Sequence, residues 1–280
     1  PLAIYIGEDV SGVRMSLAAF ASCISNLSCA AVQALNGLML SMVLFLIASG
    51  LTLIFGVMDV VNFAHGSFFM LGAYLAFTVV RSLEWGSAFW IALVVAPAVI
   101  AALGGLLEAT LLRRVYGRHN LYQLLLTFAL LLVFEDLAKM TWGTGYVSAP
   151  VPEGLRGAVR LMDRPLPKYY LLLLSAGPVV GLAMWLALTR TRYGKIVRAA
   201  AMDREMLSAL GINARRVYTG VFTAGCWLAA VAGSLAAPIR SLYPGMGVEV
   251  AIESFVVVVL GGLGNVWGAL VGSLIMGQLR

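Results

Sequence analysis

Seven apolar runs, each close to the length of a bilayer crossing, alternate along this chain with short polar segments: 36–57, 60–80, 88–112, 121–141, 169–189, 217–237 and 252–279. About 20 consecutive apolar residues in a helix span roughly 30 Å of hydrocarbon, so each run predicts a transmembrane helix. The short alternating segments of a membrane β-barrel do not occur. The pattern predicts an all-α fold, a polytopic transmembrane helical bundle.

Two runs are interrupted. Residues 56–74 read GVMDVVNFAHGSFFMLGAY, with Asp59, Asn62, His65, Gly66 and Ser67 inside the apolar stretch. Residues 255–277 read FVVVVLGGLGNVWGALVGSLIMG, with Gly261, Gly262, Gly264 and Asn265 inside it. A break at membrane depth leaves backbone groups that lipid cannot satisfy, so it survives only under protein cover or along a watery cavity. Both runs therefore read as broken or re-entrant spans. Gly66 and Gly72 follow the first break, and Gly268, Gly272 and Gly277 the second, where small residues let helices approach closely. One broken span in each half matches transporters built from an inverted repeat. Asn62, His65, Gly66 and Ser67, with Gly261, Gly262, Gly264 and Asn265, are the expected lining of a substrate path. The alternative is that the glycines serve only packing or a kink. Asn62 and Ser67 are uncharged hydrogen-bonding groups, which suit a polar or zwitterionic solute better than a bare ion. His65 reads as a buried helix-terminus group bonded to a neighbouring carbonyl, with a proton relay or a ligand contact as alternatives. A lone histidine does not make a metal site.

Charge orients the runs. The segment 189–216 carries seven Lys/Arg against Asp203 and Glu205. Such a loop is expected on the cytoplasmic side. Alternation then puts 113–120 inside, 142–168 outside and the N-terminus in the extracytoplasmic space. The prolines and glycines of 142–168 suggest an extended surface loop. Ile196 to Leu210 reads as a short amphipathic helix, with Ile196, Val197, Ala200, Leu207 and Leu210 on one side. A structured helix at that face is suited to a partner. Glu108 is expected to pair with Arg113 or Arg114, or to snorkel. Glu135 and Asp136 are expected to pair with Lys139. Glu249 and Glu253 suggest either an outer vestibule or a solvated helix start.

Composition agrees. Of 280 residues, 61% are hydrophobic and 11% charged, against about 25% charged in soluble domains. The net charge of +6 sits mostly in the basic loops and gives no support to nucleic-acid binding. Cys226 reads as a small packing residue, while Cys23 and Cys29 could form a disulfide. GxxxxGK[ST], HExxH and GxSxG are absent from the sequence, and Trp267 stands where GxGxxG needs its third glycine. No cofactor or metal is expected, and any ATP must be handled by another chain. Residues 1–35 are an unassigned N-terminal segment in which 15–35 is weakly apolar and Met15 is a candidate start. Residues 36–280 form the transmembrane domain, and one further helix is expected after Arg280.

Several runs together resemble a known family: Ala34-Leu-Asn-Gly-Leu38, Gly50-Leu-Thr-Leu-Ile-Phe-Gly56, Asn62-Phe-Ala-His-Gly66 with Met70-Leu-Gly-Ala-Tyr74, Asp203-Arg-Glu-Met206 with Leu210-Gly-Ile-Asn213, and Val259-Leu-Gly-Gly-Leu-Gly264. Over roughly 33–280 the chain resembles the membrane permease subunit of branched-chain amino-acid ABC transporters, a group that includes urea and short-amide permeases. The resemblance implies a multi-pass subunit of a bacterial-type cytoplasmic (inner) membrane without its own nucleotide site. It implies a second permease subunit as heterodimer partner, two ATPase subunits and an extracytoplasmic solute-binding protein. It also implies that Arg198 to Gly211 docks on the ATPase, with Arg198, Ala200, Ala201, Asp203, Arg204, Glu205 and Gly211 as coupling residues. A secondary transporter is the reading from another class. It would need ion-coupling acids within the bundle, for which Asp59 is the candidate.

Overall fold

A computed structural model of the chain describes residues 27–83, 86–161, 164–203, 207 and 209–280. Met15, Cys23, Arg204 and Glu205 lie outside them. The helices are α1 (Leu27–Met58), α2 (His65–Ser82), α3 (Ala88–Thr110), α4 (Asn120–Trp142), α5 (Lys168–Arg190), α6 (Arg192–Met202), α7 (Ala214–Ala236), α8 (Met246–Gly261) and α9 (Val266–Leu279). Among the described residues, five helices are long and apolar enough to cross a membrane: α1, α3, α4, α5 and α7. The fold is the expected all-α polytopic bundle.

Several helices start at a side-chain cap. Asn213 accepts from Arg215 N and Arg216 N and opens α7. Asn265 does the same for α9 through Trp267 N and Gly268 N. Such caps satisfy amides that a helix leaves unpaired at its start. Thr191 ends α5 with an extended backbone and accepts from Gly194 N at 2.9 Å, which starts α6 on a new axis.

The core forms around α7, whose small residues admit three neighbours. A Cβ at Gly72 of α2 would sit 2.6 Å from Ala230 Cα, one at Gly104 of α3 would meet the Cys226 side chain, and one at Gly225 would lie 2.9 Å from Gly50 O of α1. Cys226 is a free, fully buried packing residue, as its apolar run suggests. The outward faces of α4 and α5 stay apolar, with Leu125, Leu132, Val179 and Leu182 exposed. That inside-out pattern suits lipid.

The structure refines three runs. The run 36–57 is the inner part of a longer α1, because the Ala-rich residues before it favour helix. The segment 142–168 is not simply extended. It holds a 3₁₀ turn at Glu153–Leu155 and a hairpin pairing β1 (Ala158–Leu161) with β2 (Arg164–Pro167) in antiparallel register. The run 252–279 takes the re-entrant form of the two expected. α8 and α9 are bent by 118° at residues 262–265. Arg280, at the end of α9, bonds Glu249 at 3.2 Å and also Glu253, both in the first half of α8. The pair therefore doubles back.

Candidate functional site

The first break begins where α1 ends. Asp59 takes a left-handed φ of 54°, a conformation that Asp tolerates better than most residues. Its amide still bonds Phe55 O at 2.9 Å. α2 then starts at His65, whose Nε2 lies 3.0 Å from Ile47 O. A carbonyl only accepts, so Nε2 carries the proton. Ile47 is eleven residues before Met58, so the chain climbs back about 16 Å along α1 before α2 begins. The expected run 60–80 is thus an irregular leg, 59–64, followed by a helix that starts at mid-depth.

Buried polar groups sit on this leg and on the helices at either side of it. Asn62, His65 and Thr52 are fully buried, and Ser67 nearly so. Among the described residues, both amide atoms of Asn62, His65 Nδ1, Ser67 Oγ and Thr52 Oγ1 have no hydrogen-bond partner. An unsatisfied buried polar group costs about 1–3 kcal/mol. The site can therefore offer donors and acceptors, without formal charge, to a solute that enters. Gly66 is held by packing: a Cβ there would lie 2.7 Å from Ala251 N and closer still to Gly247 O.

The second break touches the first. A Cβ at Gly56 would stand 2.9 Å from Gly264 Cα, and the rings of Phe63 and Phe255 are 5.0 Å apart. Gly262 and Gly264 adopt φ of +88° and +80°, which only glycine takes without strain. Here the two sets of expected path residues differ. Asn62, His65 and Ser67 are enclosed, whereas Gly262, Gly264 and Asn265 are exposed. Gly264 and Asn265 border a groove of about 960 Å³ with Met42, Phe45, Trp185 and Arg198. The Asn265 side chain is used as a cap. Replacing it with alanine should lower the stability of the solubilised protein by about 1 kcal/mol, read as a reduced thermal midpoint, with Asn265→Asp close to wild type. An unchanged midpoint for the alanine variant would remove the capping role.

At the basic end of the bundle, α6 begins and ends earlier than the expected Ile196–Leu210 helix. Val197, Ala200 and Leu207 pack against Val217 and Val221. Asp203 caps the C-terminus of α6 with φ −152°. Gly211 follows with φ +76° and open space around it. Arg198, Ala201, Asp203 and Gly211 are exposed, but Ala200 is buried, which turns it away from any docking partner. Leu210 is not on the buried side as expected; it is 71% exposed, and Met202 is 89% exposed. Met202 escaped the sequence reading, although an apolar residue closing a basic helix was the available signal.

Charged groups complete the picture. Glu108 pairs with Arg113 at 3.2 Å, resolving the choice between the two arginines. Lys139 bonds Glu135 and Asp136 at 2.9 and 3.1 Å. Arg240 bonds Glu249 at 3.2 Å and Glu253 at 3.4 Å. Tyr243 donates to Glu249, and chiefly for that reason its phenol is pushed up to about 12. The two acids are thus locked in an ionic cluster near the hairpin end.

A family model described as branched-chain amino acid transport system, permease component, matches residues 33–280. The high-affinity branched-chain amino acid transport system permease protein LivH of Escherichia coli (strain K12) is 30% identical over 255 residues, covering 88% of this chain and 83% of its own length. BraD of Pseudomonas aeruginosa, with the same description, is 29% identical with the same coverage. The fructose import permease protein FrcC of Rhizobium meliloti is 35% identical over 101 residues, 34% of this chain and 28% of its own. No solved structure matches the chain.

Proposed function

This chain belongs to the branched-chain amino acid transport permease family, and from that premise we propose that it is the membrane permease subunit of an ABC importer for branched-chain amino acids. The observation that carries the proposal beyond family membership is the first break, where Asn62 and Ser67 present unpaired, uncharged polar atoms at mid-depth. Such groups can exchange hydrogen bonds with a zwitterion without trapping it as a fixed charge would. Rearrangement at the contact between Gly56 and Gly264 would open this enclosed polar cluster toward the second break, whose exposed Gly262 and Gly264-Asn265 backbone supplies further polar groups. Importer relatives of this kind imply a second permease subunit as heterodimer partner, two ATPase subunits that do the chemistry, and a solute-binding protein at the hairpin end. The basic end, with Arg190, Arg192, Lys195 and Arg198, then faces the cytoplasm, in keeping with the positive-inside rule. In this reading Arg198, Ala201, Asp203 and Gly211 meet the ATPase. ATP binding changes access only by favouring one of two arrangements of the bundle.

The test is uptake of labelled leucine, and separately of labelled urea, in cells carrying this permease and its neighbouring subunits. Deleting this chain should abolish leucine uptake and spare urea uptake. Loss of urea uptake with leucine uptake intact would move the protein to the amide branch and overturn the amino-acid reading.

A further inference from the structure

Glu108 is charged and yet fully buried, near the end of α3. Its Oε2 accepts from Thr219 at 2.5 Å and from Arg113 at 3.2 Å, and its Oε1 accepts from Tyr116 at 3.1 Å. Arg113 also donates to the Thr219 hydroxyl at 2.8 Å. The single Thr219 proton has Arg215 O within 3.0 Å as an alternative, but the carboxylate is nearer. Burial and the neighbouring carboxylate push the Tyr116 phenol above its ordinary range, which keeps it a donor.

These partners belong to three pieces of chain. Glu108 is on α3, Arg113 and Tyr116 are in the turn after it, and Thr219 is in the second turn of α7. α7 begins at the Asn213 cap, two residues beyond Gly211. Farther along the same seam, a Cβ at Gly105 would lie 2.7 Å from Thr223 Oγ1, and one at Gly104 would lie 2.8 Å from Cys226 Cβ. Small residues therefore close the α3–α7 seam, and the carboxylate fastens its end. Parting the two helices there would strand a buried charge, which is strongly unfavourable.

We propose that Glu108 is a positioning residue for energy coupling: it binds the start of α7 to α3, so that a push on residues 192–211 moves both helices as one body. The assignment rests on the importer reading given above. It needs no contact between Glu108 and either substrate or ATPase.

The experiment uses the reconstituted complex of this chain with its partner permease, ATPase subunits and solute-binding protein in proteoliposomes. ATP hydrolysis and leucine uptake are followed in the same sample. Glu108→Gln keeps the shape but removes the charge. It should retain ATPase association and hydrolysis while uptake per ATP falls about tenfold, within the ~5–150-fold range of coupling between sites. Thr219→Val reads the same fastening from α7, and serves if the Glu108 variant does not assemble. It should lower the ratio too, while Thr219→Ser restores it. If hydrolysis and uptake decline together in proportion to assembled complex, leaving the ratio unchanged, the assignment is overturned and Glu108 is only structural. A wild-type complex without ATP-driven uptake would overturn the importer reading and this assignment with it.

Discussion

Gly268→Leu is expected to prevent accumulation of the folded protein. Gly268 sits where α9 crosses α8: a Cβ there would overlap the Gly261 carbonyl, and one at Gly261 would overlap the Gly268 backbone. One turn on, a Cβ at Gly272 would lie 3.2 Å from Gly261 N and closer still to Val257 O. The obstacle at each point is backbone, which cannot rotate aside as a side chain can. Overpacking a core with side chains costs about 1–3 kcal/mol, and a backbone clash more. Stabilities of about 5–15 kcal/mol leave limited room for such a loss. The measurement is the yield and thermal midpoint of the solubilised variant by fluorescence-detected size exclusion. Gly145→Ala is the control, since Gly145 has open space and an ordinary φ. A Gly268→Leu protein with wild-type yield and midpoint would mean that α8 and α9 do not cross in this way.

The second large effect belongs to the basic end. Met202 and Leu210 are apolar, strongly exposed, and lie within the segment proposed to dock on the ATPase. The double variant Met202→Glu/Leu210→Glu should leave membrane levels unchanged, because neither side chain supports the bundle. Loss of an interface anchor costs about 2 kcal/mol or more, roughly a 30-fold drop in affinity. ATPase co-purification and uptake should therefore fall together by at least that factor. Gly211→Trp should act in the same direction, since φ +76° is strained for any residue with a Cβ. Full ATPase association in both variants would move the docking surface elsewhere.

Much of this molecule was legible in its residues, and the limits have physical causes. Hydropathy reports how long a helix is, so α3, α4, α5 and α7 fall close to their expected runs. It says little about direction. The return of α9 along α8 depends on the left-handed Gly262 and Gly264, and on Arg280 meeting acids 27 and 31 residues earlier. The mid-depth start of α2 was legible as a break, but its depth was not, because the contact from His65 to Ile47 O is tertiary. Helical spacing puts Leu210 with Val197 and Ala200, yet α6 stops at Met202 and Leu210 lies exposed. The hairpin at Ala158–Pro167 went unseen because its strands are four residues each and rich in arginine and proline. At the candidate site, Asn62 and Ser67 were recognised as polar interruptions. Their complete enclosure depends on α8, far along the chain.

The mid-depth start of α2 also has a consequence for biosynthesis. The residues that cover it are made late: Ser234, which bonds Gly72 O, lies 162 residues downstream. At roughly 5–20 residues per second, a ribosome needs on the order of 10–30 s to supply that stretch. Through that interval the irregular leg 59–64 can gain α4, through Thr127 and Phe128, but not α8, whose Phe255 packs on Phe63, so part of its backbone would meet lipid if it moved inward. A nascent chain halted before α8 should therefore hold this segment at the translocon or the water boundary, and settle it between the helices only after the C-terminal part has been inserted.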